Sequence, residues 1–384
     1  MKKPVYLDYQ ATTPTDPRVV EAMATYWYEM PGNPHSRTHQ FGWDAEEAVE
    51  TARENIAKVI GADPKEIIFT SGATESNNMA LKGSAEFYGT DKKHIITVVT
   101  EHKCVLDSCR WLAERGFEIT YLPVEKDGLL DLAKLKEAIR EDTMMVSVMH
   151  ANNEIGVVQD IKSIGAICRE NGVKFHTDAA QSFGKLPIDV NEMNVDVMSI
   201  SSHKIYGPKG IGALYLRVLK PRVKLDSIMF GGGQERNIRS GTLNVPGIVG
   251  FAKAIEIAQK EMGQENEKFK KWMNVMLAKL SEAGAKLNGH PEKRLTHNLN
   301  VRFDGIESKA IINSVSKKIA ISAGSACTTQ IVEPSHVLLA LGLAEDETHS
   351  SIRIGCGRFN TDEEIEIAAD EIYHAVESLE KIRI

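Results

Sequence analysis

The strongest constraint on the fold is an alternation in the first half of the chain. Five short apolar runs, at 66–70, 94–100, 143–150, 173–177 and 195–201, are separated by stretches long enough for helices. Buried strands alternating with helices imply a mostly parallel sheet covered on both faces. Of the intervening helices, the segment 44–60 is the plainest. Ala45, Ala48, Val49, Ala52, Ile56, Val59 and Ile60 fall on one stripe, Gly61 ends it and Pro64 follows.

The texture changes further on. From 248 to 287 the pattern is helical, with breaks expected at Gly263 and Gly284. Beyond lie strand-like runs at 298–303, 319–322 and 350–355, separated by helices. Thr361 and Glu364 form a capping box, and the helix after it sets Ile365, Ala368, Ala369, Ile372, Val376 and Leu379 on one face. The expectation is an α/β domain followed by a smaller α+β domain, with a boundary near residue 260. A length of 384 residues fits two domains, and 42% hydrophobic residues suffice for their cores.

A formal charge of −7 without a dense basic run argues against direct nucleic-acid binding. The five cysteines are odd in number and form no CxxC pair, which argues against a zinc site or an oxidised framework. Asp8 breaks the apolar start, and no apolar run reaches the ~18 residues of a membrane span. A soluble cytoplasmic protein is expected.

Each of the five runs ends in a polar or glycine-rich cluster. These are Ser71-Gly72-Ala73-Thr74-Glu75-Ser76, Thr100-Glu101-His102-Lys103, His150-Ala151-Asn152-Asn153-Glu154, Asp178 with Gln181, and Ser201-Ser202-His203-Lys204. Ligands of open α/β sheets lie beyond the carboxyl ends of the strands, so the clusters describe one site. Ala73 and Thr74 stand where a helix begins, which suits a phosphate; a plain strand–helix turn would look the same. Asp178 is placed to pair with a pyridinium nitrogen, or to cap a following helix. Lys204 closes an apolar run among serines, a histidine and glycines, where a desolvated amine can form a Schiff base. Lys209 is its rival, in an exposed Gly-Pro-Lys-Gly turn.

Cys327, in Ser322-Ala-Gly-Ser-Ala-Cys-Thr-Thr329, has small hydroxylic neighbours and precedes a stretch without clear period. That pattern suits a thiol on an exposed loop; a buried small residue is the plainer alternative. Strand alternation sets Arg353 opposite Ile352, Ile354 and Cys356. There it can hold a carboxylate bidentately or form a surface ion pair.

These blocks, with Tyr6-Leu-Asp-Tyr-Gln-Ala-Thr-Thr-Pro14, His203-Lys-Ile-Tyr-Gly-Pro-Lys-Gly210, Gly231-Gly-Gly-Gln-Glu235 and Arg239-Ser-Gly-Thr242, are similar to the NifS/IscS-type cysteine desulfurases along nearly the whole chain. The resemblance implies the fold-type-I architecture of pyridoxal 5'-phosphate enzymes, a homodimer, and L-cysteine as substrate. The large cofactor domain would span 15–260. Residues 1–14 and 261–384 would form the small domain that carries the cysteine loop. Lys204 would be the Schiff-base lysine, and His102 would stack on the ring and move protons. Asp178 would pair the ring nitrogen and Gln181 the ring oxygen. Thr74, Ser201 and His203 would hold the phosphate, with Thr242 reaching in from the other subunit. Asn153 and Arg353 would hold the substrate carboxylate. Cys327 would be the nucleophile and pass its sulfur to acceptors such as an iron–sulfur cluster scaffold or a tRNA-thiolation enzyme. A selenocysteine or cysteine lyase, and a non-catalytic scaffold, are the alternatives.

Three features depart from the family pattern. Gln10 replaces a smaller residue, and Cys104 stands where alanine is usual; it reads as a second thiol near the site or, by preference, as a buried helix cysteine. The chain ends at Ile384, short of the tail with which many IscS-type members dock the cluster scaffold, which argues against counting on that partnership.

Overall fold

The structure is a computed structural model that describes residues 3–324 and 333–382. The chain opens with the short strand β1 (Val5–Tyr6). The main sheet then takes β2 (Ile67–Thr70), β3 (His94–Val98), β4 (Glu118–Leu122), β5 (Thr143–Ser147), β6 (Lys174–Asp178), β7 (Val197–Ser201) and β8 (Gly212–Leu216). Their spatial order is β2-β8-β7-β6-β5-β3-β4. All pairs are parallel except those of β8, which runs antiparallel to both β7 and β2.

The five apolar runs all become strands, as the alternation predicts. β4 and β8 were not among them. β4 is an edge strand with a mixed, partly exposed pattern, and β8 is fully buried but follows a glycine-rich turn that masks its start. Gly212 opens β8 because a Cβ there would sit 2.5 Å from the Ile200 carbonyl and 2.7 Å from the Gly72 Cα.

The stripe read at 44–60 belongs to a helix that begins earlier, at Gln40–Val59. His39 caps it by accepting the Gly42 N–H, and Ala45, Val49, Ala52 and Ile56 are buried. They pack beneath the sheet with Phe69, Phe175, Ile200 and the first part of the long helix.

That helix, Val245–Glu282, is 38 residues long and runs unbroken through Gly263. The expected break is absent, since one glycine costs only about 1 kcal/mol of helix propensity and packing on both sides exceeds that. Its first part, through Ala258, belongs to the main core. Phe269, Trp272, Met276 and Leu280 belong to a second core. Gly284, with φ +80°, lies just beyond its end.

The second core is built on β12 (Ser351–Gly355), β10 (Asn298–Arg302) and β9 (Lys286–Leu287), which pair antiparallel, while β1 pairs parallel with β11 (Ile319–Ala320). The helix Asp362–Ile382 covers it with Ile365, Ala368, Ala369, Ile372 and Val376. The capping box is present: Thr361 Oγ1 accepts the Glu364 N–H, and the Glu364 carboxylate accepts the Thr361 N–H. Leu7 joins this core, so the N-terminal thread is anchored to it. Among the described residues no helix is long and apolar enough to cross a membrane.

Candidate active site

A cavity of about 440 Å³ opens at the carboxyl edge of the main sheet. It brings together Ala73, Thr74, His102, Asn153, Asp178, Gln181, Ser201, His203, Lys204 and Arg353. A neighbouring cavity of about 530 Å³ is larger, lined by Lys103, Glu154, Gly324 and His336 among others. It contains neither Lys204 nor Asp178, which both line the smaller cavity at the strand ends. Cys327 lies outside the described residues.

At one end, β2 turns into a helical run beginning at Ala73. The turn depends on Gly72, whose φ of +147° is rarely open to an L side chain. The Glu75 carboxylate accepts the Ser71 N–H at 2.7 Å and pairs with Arg239 at 2.7 Å. Ser201 and His203 face the same region from the end of β7. His203 Nδ1 lies 3.0 Å from Thr12 Oγ1. Burial, followed by Lys204 and other cations, lowers the His203 pKa to about 4, so the ring is neutral near pH 7.

Lys204 reaches across the cavity floor. Its Nζ donates to the carbonyls of Gln10 at 2.5 Å and Ala11 at 2.7 Å. Lys209 is exposed at the rim, as its turn setting predicts.

Asp178 ends β6 and is nearly buried. One oxygen accepts the Ala180 N–H at 2.9 Å and the other the Asn77 amide at 2.7 Å. It therefore caps a turn while facing the cavity, although no helix follows it. Gln181 donates to the Gln10 carbonyl, and its Oε1 is buried without a hydrogen-bond partner.

Arg353 is 1% exposed. It donates to Asp8 at 2.8 Å and to the Asn153 carbonyl at 3.0 Å, and its Nε is buried without a partner. The ion pair is thus buried rather than a surface one. Ile352, Ile354 and Cys356 lie in the second core, as alternation predicts.

His102 caps the helix Lys103–Ala113. Burial lowers its pKa; Asp178 opposes the shift and Lys204 adds to it. Cys104 is a helix cysteine as expected, but it is only partly buried and is the second thiol near the site. It stands at the start of that helix, partly exposed and lining the cavity, with its thiol pKa raised to about 12 by burial and then by Asp178.

Thr242 is exposed and does not line the cavity of this chain. Sequence reasoning missed Asn77, which sits one helical turn beyond Ala73 and Thr74. It also missed Asp8, although Asp8 lies within a block that had been singled out. Gln10 is wedged in tightly: a Cβ on Gly355 would fall 1.6 Å from its side-chain oxygen.

The family model for Aminotransferase class-V matches residues 5–367. The chain is 56% identical to the cysteine desulfurase IscS of Rickettsia felis, over 99% of this chain and 92% of that protein. Among solved structures, a NifS-like protein superposes with a TM-score of 0.91 at 38% identity, covering 98% of this chain and all 100% of the other. SspA in complex with cysteine gives a TM-score of 0.82 at 40% identity, covering 94% and 100%. The mostly parallel main sheet with its attached α+β unit is the fold-type-I architecture of these enzymes. With a family model matching nearly its full length and a relative more than half identical, the chain belongs to the class-V aminotransferase family, in its IscS-type cysteine desulfurase branch.

Proposed function

We infer that this protein converts L-cysteine to L-alanine and moves the sulfur onto Cys327 as a persulfide. The observation that carries the reading is the convergence of Lys204, Asp178, His102 and Arg353 on one cavity, in a chain whose neighbour SspA was solved with cysteine.

The donor set fits pyridoxal 5'-phosphate. Gln181 Oε1, buried and unpartnered, is an acceptor left for a hydroxyl. Asp178 offers a carboxylate to a ring nitrogen. Thr74, Ser201 and neutral His203 offer donors to a phosphate at the Ala73 end. Lys204 would hold the group through its amine. Once bound, the cofactor supplies an electron sink that acidifies the substrate Cα–H.

The chain's own residues do the rest. Arg353, through its unpartnered Nε, and Asn153 hold the substrate carboxylate and so orient the Cα–H. Lys204, at the floor of the cavity, takes the Cα proton as general base. His102, kept neutral by burial, shuttles a proton at the same face. The Cys327 thiolate then attacks the substrate sulfur. An S–S bond forms as the C–S bond breaks, and its electron pair leaves with the carbon, which is protonated to alanine. Overall one thiol becomes a persulfide and cysteine becomes alanine, with no external oxidant or reductant.

We extend the reading to a homodimer in which Thr242 serves the partner's phosphate site, consistent with its exposure here. Residues 15–260 are taken as the cofactor domain, and 1–14 with 261–384 as the small domain. The acceptors are an iron–sulfur cluster scaffold or a tRNA-thiolation enzyme in the cytoplasm. The test is alanine and sulfide formation from L-cysteine with a reductant present. Both should appear in equal amounts; alanine that forms equally fast without Cys327 would favour a lyase.

A further inference from the structure

The residues linking His102 to Asp178 have no task in the reaction just described, yet their hydrogen bonds have a defined direction. His102 Nδ1 accepts the Cys104 backbone N–H at 3.2 Å. A backbone N–H only donates, so in the neutral ring Nδ1 carries the lone pair and Nε2 the proton. The Cys104 Sγ lies 3.0 Å from the same Nδ1. Facing a lone pair, the sulfur must be the donor. Burial keeps its proton in place, raising the thiol pKa to about 12. Both donors converge on the single Nδ1 lone pair.

The sulfur in turn accepts one hydrogen of the Asn77 amide, at 3.2 Å. The other amide hydrogen goes to the Asp178 carboxylate at 2.7 Å. Every hydrogen in this chain has one acceptor. Asn77 is 0% exposed, so solvent does not compete for its hydrogens.

We propose that Cys104 is a positioning residue: its thiol holds His102 as the Nε2-protonated tautomer and ties that ring to the amide that clamps Asp178. The proposal rests on the desulfurase reading of the cavity. It also assigns the second thiol of the site. A thiol that keeps its proton is a poor nucleophile, so Cys104 does not compete with Cys327 for sulfur.

The charged groups facing His102 come from several elements. Asp178 at the end of β6 and Glu154 after β5 favour the imidazolium; Lys204 after β7 and His336 of the helix His336–Ala340 oppose it. Cys104 faces Asp178 and Glu101. Protonating Nδ1 requires turning away both the backbone N–H and the thiol. Removing the thiol donor therefore makes the ring more basic.

The experiment uses the full-length protein with ¹⁵N-labelled histidine rings, and the His102 signals are identified by their loss in His102→Gln. Cys104→Ala should raise the His102 pKa by about half to one pH unit, the size of one lost hydrogen bond. The limb of the pH profile for alanine formation that reports His102 should move with it. Cys104→Ser, whose hydroxyl can donate in the same place, should restore the parent tautomer and profile. A Cys104→Ala ring that titrates like the parent would overturn the proposal. So would a serine variant that behaves like the alanine variant, since the sulfur would then merely fill space. The ring titration needs no turnover. Absence of alanine from the parent would count against the desulfurase reading, while the His102 signals would still decide the role of Cys104.

Discussion

The two cores of this chain contribute differently to one cavity. The main core delivers its residues from the ends of parallel strands: His102 after β3, Asn153 after β5, Asp178 on β6, and Ser201, His203 and Lys204 at β7. The second core contributes Arg353 from β12, and through the N-terminal thread the carbonyls of Gln10 and Ala11 that receive Lys204. Groups that handle protons and cofactor thus sit on one sheet edge. Of the two groups proposed to hold the substrate carboxylate, Asn153 shares that edge and Arg353 comes from the other body. Chemistry and substrate binding should then be separable by mutation.

The sharpest way to break this division is Lys204→Ala. It should abolish covalent cofactor attachment and all turnover, because Lys209 stands at the rim. Borohydride reduction with peptide mapping checks it, and a label on Lys209 would move the chemistry elsewhere. Next comes Cys327→Ser. It should keep the cofactor's absorbance and lose persulfide formation, because a hydroxyl is a far weaker nucleophile toward sulfur than a thiolate. Sulfide release at the parent rate would remove Cys327 from the reaction.

Arg353→Ala tests the other side of the comparison. Loss of a charge-assisted contact worth roughly 1.5–3 kcal/mol should raise KM about ten- to a hundred-fold, with kcat less affected. Because the substitution also strips Asp8 of its buried partner, thermal unfolding should be measured alongside. An unchanged KM would mean that the second core does not hold the substrate. The smallest effect is expected at Gly263, midway between the cores. A Cβ there meets nothing within 4 Å. Gly263→Ala should therefore stabilise the protein by about 0.5–1 kcal/mol in denaturant unfolding. Destabilisation would show that the helix needs to bend there.

Much of this arrangement was legible before the structure. Strand ends announce themselves, because an apolar run that stops at Asp178 or at Ser201-Ser-His-Lys204 changes composition within two residues. Arg353 was placed correctly by the two-residue period of its strand. What could not be read were contacts between residues distant in sequence. Asp8 meets Arg353 across 345 positions, and Asn77 meets Asp178 across 101. Neither pairing leaves a local pattern. Gly263 misled for the opposite reason: a local propensity was overruled by packing along the whole helix.

The helix Val245–Glu282 has a consequence for how the molecule comes apart. At 1.5 Å per residue its 38 residues extend about 57 Å, with the side chains of both cores bolted to one rod. Neither core can melt without exposing half of that rod to water, where an orphaned helical segment is barely stable. The two bodies should therefore lose structure in a single cooperative transition, and hydrogen exchange along Val245–Glu282 should report one opening energy from end to end.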